Sequence, residues 1–386
     1  MHTDCCGDNH GSTYCKQTMT TSLLEHGLNA NKILRLLFRK FRDLCNLRCI
    51  SIIGLAFLIV QFLLLILYGH TRCEGDICVT ESRNTSSFYS IFFWNWRKKG
   101  PLLPLCPTIP PGLYGYIKPS TEVLTWAELE SKFLNLHYGG RYKPPNCTSR
   151  HRVAIIVPFR DREIHLKIFL NNLHPILQRQ QIEYGIYVVD LDLKVQFNRA
   201  LLLNVGVLES LRLHDYQCFI FHDVDLLPEN DNNLYTCPDN PRHMSVAVNR
   251  LKYKLPYDKI FGGVAAISKE DFLKVNGYSN RYFGWGGEDD DMFNRINAMN
   301  LTITRYHPGI ARYIMLPHAK QEENLARFDI LKSGKVTFRR DGINTLKYDR
   351  LILDFRRLLT YIMVTVNQTE IASGRGIRYD IDTNQG

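Results

Sequence analysis

Two kinds of apolar run stand out along the chain. The first, CISIIGLAFLIVQFLLLILY from Cys49 to Tyr68, has no charge and a single polar amide. About twenty such residues cross a bilayer as a helix. A buried core helix keeps a polar stripe, and a cleaved leader has a shorter apolar stretch ending in small residues, so a transmembrane signal anchor over 49–68 is expected. The second kind is short and bounded. Val153 to Val157 is apolar throughout and stops at Pro158, predicting a buried strand, and His165 to Gln180 follows with helical spacing. Gly185 to Val189 predicts a second strand, Phe197 to Leu211 a second helix, and Cys218 to Phe221 a third strand ending at the carboxylates Asp223 and Asp225. This alternation predicts an α/β domain with a mostly parallel central sheet and helices on both faces. Ligands of such sheets lie beyond the carboxyl ends of the strands, where the two aspartates fall.

Flanking charge orients the anchor. Lys32, Arg35, Arg39, Lys40, Arg42 and Arg48 precede it, whereas Gly69 to Asp76 holds one Arg and two acids. The positive-inside rule puts residues 1–48 in the cytosol as a tail and everything beyond the anchor in the lumen. Ser, Thr, Asn and aromatic residues, then Pro101, Pro104, Pro107, Pro110 and Pro111, read as a stem over 69–105. A globular domain over 106–370 and a polar C-terminal tail over 371–386 follow. Cysteine usage fits this topology. Cys5, Cys6, Cys15, Cys45 and Cys49 lie before or at the membrane, and the six beyond it are an even number in an oxidising compartment, with several pairings open. Asn84, Asn146, Asn300 and Asn367 are N-x-S/T glycan acceptors. The net charge of +10 is spread along the chain with no basic stripe, so no nucleic-acid partner is expected.

Three stretches carry candidate chemistry. In His222-Asp-Val-Asp225 two carboxylates at a strand end can share one divalent cation, or reach the sugar and ribose of a nucleotide-sugar; a solvated turn is the plainer alternative. A metal there would neutralise a departing diphosphate. Phe283-Gly-Trp-Gly-Gly-Glu-Asp-Asp-Asp-Met292 sets one Trp among glycines, then four acids opening a helical pattern. Helix capping explains one or two acids; an aromatic face with carboxylates is a recurrent way to hold a hexose. Met315-Leu-Pro-His318 offers a thioether and an imidazole, but a thioether is a poor ligand for a hard cation, so by itself the stretch reads as packing.

Taken in order, Val157-Pro-Phe-Arg-Asp-Arg162, His174-Pro-Ile-Leu-Gln-Arg-Gln-Gln181, Phe197-Asn-Arg-Ala200, Asp223-Val-Asp225, Phe261-Gly-Gly263, Gly284-Trp-Gly-Gly-Glu-Asp-Asp-Asp291 and Arg327-Phe-Asp329 resemble the beta-1,4-galactosyltransferase family over roughly Cys106 to Val366. The resemblance implies a GT-A type fold, an inverting mechanism and Mn2+. It assigns the metal to Asp225, Met315 and His318, reversing the packing reading of Met315. It assigns the UDP-sugar donor to Arg160, Arg162, Phe197, Arg199, Asp223, Val224, Arg250, Ile260 and the mobile Trp285. Asp289 matches the general base, with Glu288 beside it, and Tyr257, Gly287, Asp290, Arg327 and Phe328 match the acceptor site. Cys106 with Cys147 and Cys218 with Cys237 match the family's disulfides, leaving Cys73 and Cys78 to pair with each other.

Two departures from the family pattern bear on specificity. Galactose-transferring members resemble one another in a Tyr just before the Phe-Gly-Gly stretch, lining the donor pocket at C2 of the sugar, and this chain has Ile260. An aliphatic side chain opens room for an N-acetyl group, as in the invertebrate branch that transfers N-acetylgalactosamine. The stretch from His318 to Arg327 is shorter than in the lactose-forming member, which bears on acceptor choice and on any accessory protein docking there. The resulting expectation is a single-pass type II Golgi membrane enzyme that moves N-acetylgalactosamine from UDP-GalNAc to the 4-hydroxyl of terminal beta-GlcNAc on a glycoprotein or glycolipid. The alternatives are transfer from UDP-galactose and an inactive Golgi sugar-binding or escort protein.

Overall fold

The computed structural model describes residues 72–73, 78–79, 103–319 and 321–374. The anchor over 49–68, the cytosolic tail, Asn84 and most of the C-terminal tail lie outside them. Among the described residues no helix is long and apolar enough to cross a membrane. The chain divides into two units, Met1–Lys99 and Gly100–Gly386. In the first, Arg72–Cys73 pairs antiparallel with Cys78–Val79, with Cys73 opposite Cys78.

In the second unit the continuous apolar runs become central strands. Strand β1 (Arg152–Phe159) is buried at every position after the first, which is what a strand covered on both faces requires. It runs through Pro158, past the expected stop. Its ladder to the third strand ends at Ile156, so beyond that point a proline has no bond to break on that side. Helix α1 (Glu163–Arg179), strand β2 (Glu183–Leu191), helix α2 (Arg199–Leu213) and strand β3 (Cys218–His222) follow. Alternation along β1 sorts its side chains: Val153, Ile155 and Val157 join the core under α1, and Ala154 and Ile156 join the core under α2. Helices thus cover both faces, as expected.

Helix α2 starts two residues later than its periodicity suggested. Asn198 stays extended as N-cap, its side chain accepting from the Leu201 amide, and this leaves the Phe197 carbonyl to accept from Gly284 N at 2.8 Å.

The remaining elements are two helices and the other strands of a nine-stranded and a three-stranded sheet. Strand β4 (Leu226–Pro228) follows β3, then β5 (Arg242–His243), β6 (Ala247–Val248) and β7 (Val264–Ser268). Helix α3 (Glu288–Ala298), β8 (Thr304–Arg305), β9 (Arg312–Met315), helix α4 (Arg327–Thr337), β10 (Asp349–Phe355) and β11 (Thr360–Thr365) complete the parts that matter here. The sheet runs β8-β5-β7-β3-β1-β2-β11-β10, with Arg141–Tyr142 paired to β2 off this path. Its centre, β3-β1-β2-β11, is parallel; β7 and β10 are antiparallel to their neighbours. The α/β expectation with a mostly parallel centre is met. A second sheet, β4-β9-β6, pairs Met315 with Leu226 and so brings Met315 beside the Asp223–Asp225 turn. The disulfides Cys106–Cys147 and Cys218–Cys237 are both formed.

Candidate active site

Beyond the carboxyl ends of β1 and β3 lies a cleft of about 500 Å³. It gathers residues that are far apart in sequence: Arg160 and Arg162 after β1, Phe197 and Arg199 at the start of α2, Asp223 to Asp225 after β3, Tyr257, Ile260, Gly262 and Gly263 before β7, Trp285 to Asp290 at the head of α3, Met315 at the end of β9 with His318 after it, and Arg327 and Phe328 opening α4. Every donor, acceptor, metal and catalytic position expected from the sequence lines this cleft except Arg250. That residue sits in the middle of a 3-10 turn, Asn249–Leu251, and is exposed; its neighbour Leu251 lines the cleft instead.

One wall is a chain of charges. Asp225 Oδ2 accepts from Arg162 Nη1 at 2.9 Å and lies 3.1 Å from His318 Nε2. Burial, then the neighbouring Asp223, pushes the Asp225 carboxyl above its ordinary range, against the pull of Arg162 and His318. The register puts the Met315 backbone against Leu226, its amide is held by Asn249 Oδ1 at 2.8 Å, and Leu316 N donates to Asp225 O. A buried carboxylate and an imidazole in contact, with a thioether lining the same cleft, make a donor set that accommodates a divalent cation of intermediate softness. Arg199 Nε donates to Asp223 Oδ1 at 2.7 Å, and its Nη1 faces Glu288 Oε1 at 3.8 Å, which joins the aspartate turn to α3. Arg160 stacks over Phe197 and donates to the carbonyls of Leu191, Asp192 and Val195.

The opposite wall is the head of α3. The four acids form its first turn and do not precede it, because Gly287 at φ 95° caps the helix in a conformation that favours glycine, and the helix N-terminus favours negative charge. Asp289 approaches so closely that a Cβ added to Gly262 would lie 2.7 Å from its Oδ2. Burial, then Asp290, raises the Asp289 carboxyl; burial, then Asp289, raises Glu288. Glu288 Oε2 and Arg199 Nη1 are buried without hydrogen-bond partners, the condition of groups placed for a ligand.

The cleft mouth is aromatic. Trp285 is 51 % exposed and flanked by Gly284 and Gly286, while its backbone is strapped to Glu322 O and Asn324 N. The Arg327 guanidinium lies over the rings of Phe328 and Trp285 and pairs with Glu323 Oε2 at 2.7 Å. An aromatic rim above a carboxylate floor suits the apolar face and the hydroxyls of a pyranose.

Sequence reasoning missed some lining residues. Ser245, Gln321 and Leu331 belong to no motif, and Gly262, part of the Phe-Gly-Gly stretch, forms the wall behind Asp289 while Gly263 packs on Ser245 and Leu226.

Residues 106–238 match the family model described as the N-terminal region of glycosyl transferase group 7, and residues 242–319 match that described as the N-terminal domain of galactosyltransferase. Among curated proteins, the chain is 47 % identical over 269 residues to Beta-1,4-galactosyltransferase 1 of Mus musculus, covering 69 % of this chain and 67 % of that one. It is 46 % identical over 263 residues to Beta-1,4-galactosyltransferase 4 of Cricetulus griseus, covering 67 % and 76 %. Among solved structures it is similar to the catalytic domain of Drosophila beta1,4galactosyltransferase 7 in complex with xylobiose, at 28 % identity and TM-score 0.49, covering 57 % of this chain and 97 % of that one. A variant of that enzyme was solved with manganese, UDP-Gal and xylobiose.

Proposed function

Because the chain belongs to the beta-1,4-galactosyltransferase family, we propose that it transfers N-acetylgalactosamine from UDP-GalNAc, in beta-1,4 linkage with inversion, to terminal beta-GlcNAc on a glycoprotein or glycolipid. The observation that carries the donor assignment is Ile260 in the cleft lining, next to Gly262 and Gly263. With no phenol at this position, the wall leaves space for an N-acetyl group at C2 of the donor sugar.

The cleft's own residues divide the work. Arg160, Arg162 and Arg199 supply positive charge for the diphosphate, Phe197 an aromatic surface for the uracil, and Asp223 with Val224 the turn against the ribose. Arg250 lies outside the cleft lining and is left out of this set. Asp225, Met315 and His318 would hold Mn2+, which supplies charge neutralisation for the diphosphate as the bond to C1 breaks. Asp289 takes the proton from the acceptor 4-hydroxyl as that oxygen attacks C1, and Glu288, buried beside it and facing Arg199, keeps the acids and the donor wall in one network. Trp285 adds an aromatic face to the donor side, Tyr257, Gly287 and Asp290 border the acceptor hexose, and Arg327 with Phe328 receives its N-acetyl group. We place the enzyme in the Golgi membrane as a single-pass type II protein with this cleft in the lumen, and an accessory protein would dock near 318–327.

Transfer from UDP-galactose is the second reading. It is favoured by the names of the relatives at 44–47 % identity, all beta-1,4-galactosyltransferases. The two readings part at one side chain. Ile260→Tyr is expected to shift the ratio of kcat/KM for UDP-GalNAc over UDP-Gal toward galactose by roughly tenfold or more, the scale of one well-placed pocket contact. The check is steady-state kinetics of the full-length chain with both donors; an unmoved ratio removes Ile260 as the determinant.

A further inference from the structure

Arg305 ends β8 and is not part of the cleft lining. It pairs in register with His243 of β5, behind the wall that carries Ile260. Its Nη2 donates to Asp258 O at 2.8 Å and to Ile260 O at 2.9 Å, and its Nε donates to His243 Nδ1 at 3.2 Å. A guanidinium can only donate, so the His243 Nδ1 must accept. Burial, then the Arg305 charge, pushes His243 down to about 3, so the ring is neutral and carries its one proton on Nε2. Nε2 lies 3.3 Å from Ser245 Oγ. Ser245 Oγ in turn donates to Gly262 O at 3.1 Å and accepts from Val264 N at 2.9 Å. The cation sets the His243 tautomer, and the Gly262 carbonyl and Val264 amide set the directions at Ser245.

One cation therefore holds three alternate carbonyls, those of Asp258 and Ile260 directly and that of Gly262 through His243 and Ser245. They belong to the segment that presents Tyr257, Ile260, Gly262 and Gly263 to the cleft. Asp289 Oδ2 packs directly against the bare Cα of Gly262, so a shift of the segment is felt on the acceptor side as well. We propose that Arg305, acting through His243 and Ser245, is a positioning residue that sets the depth of the donor-sugar pocket and thereby the discrimination between donors that differ at C2. The proposal rests on the reading that this wall meets the C2 substituent of the donor.

The test compares wild type with Arg305→Met, Arg305→Lys and Ser245→Ala in the full-length chain. For each, kcat/KM and the dissociation constants of UDP-GalNAc, UDP-Gal and UDP are measured in Mn2+. Arg305→Met is expected to bring the two donors closer together, on the order of tenfold in their ratio, with UDP affinity unchanged. Arg305→Lys should fall between, because a single ammonium cannot span three acceptors, and Ser245→Ala should give a smaller shift in the same sense. A merely structural role lowers turnover with both donors alike and leaves the ratio where it was; that result overturns the proposal. If Arg305→Met does not fold, Arg305→Lys and Ser245→Ala decide by the same ratio. If wild type prefers UDP-Gal, the donor assignment fails, while the response of the ratio to Arg305 still decides the clamp. If no donor is turned over, the ratio of donor dissociation constants decides it.

Discussion

Asparagine in place of Asp289 is expected to lower kcat by about 10²–10⁴-fold, the usual worth of a positioned general base. The substitution keeps the volume of the side chain, so the close packing against Gly262 is preserved and the acceptor pocket keeps its shape. UDP binding should be unchanged, because the contacts assigned to the nucleotide are made from the other wall. The same residue sets the acidic limb of the pH profile. A base acts when ionised, so kcat/KM rises as pH climbs through its pKa. Burial, then the charge of Asp290, raises Asp289, and the limb should therefore lie above the ordinary carboxylate range. Glu288 is raised beside it, so the apparent value belongs to the pair. Initial rates across pH for wild type and Asp289→Asn provide the check. Near-wild-type turnover in the variant would put the base elsewhere, with Glu288 the next residue to replace.

Asp225→Ala is expected to remove the Mn2+ dependence of UDP binding. The loss should exceed the roughly 10–100-fold in metal affinity that even an outer-shell partner is worth, since Asp225 would bind the ion directly. The local geometry adds a second expectation. Asp225 occupies Arg162 at 2.9 Å, and its removal frees that guanidinium to meet phosphate. Metal-free UDP binding should therefore persist in the variant while the increment from Mn2+ disappears. Calorimetric titration with UDP in the presence and absence of Mn2+ separates the two, and His318→Ala should behave in the same direction. An undiminished Mn2+ increment in Asp225→Ala would mean the cation sits on other ligands.

The parts of the fold that could be read from the sequence are those where burial leaves an unbroken signature. β1, β2 and β3 are apolar runs because they are covered on both faces; α1 keeps helical spacing because it has one face on the sheet, whereas α2 is apolar nearly all round because it is buried on nearly every side. Their ends were less legible, since Asn198 as a cap and Pro158 beyond the β3 ladder are decided by partners far away in sequence. The two-residue strands β5, β6 and β8 are too short to have a period, yet they build the antiparallel flank and the second sheet. For the site, the paired aspartates and the acidic run were visible as excess charge at element ends. Met315 was not, because coordination chemistry gives no reason to choose a thioether, and only its register with Leu226 brings it beside Asp225. Arg250 rests on the resemblance alone, and its 3-10 turn, Asn249–Leu251, puts Leu251 and not Arg250 in the cleft lining. Arg305 and Ser245 carry no motif at all; their relation to Ile260 exists only once β8 lies beside β5.

The most direct measurement of the donor incubates the full-length chain with Mn2+, a beta-GlcNAc glycoside and equal concentrations of UDP-GalNAc and UDP-Gal, and identifies the product by mass and by its anomeric coupling. The expected product is a disaccharide bearing beta-1,4-linked N-acetylgalactosamine. A product bearing galactose alone, or GlcNAc bound with neither donor consumed, would contradict it.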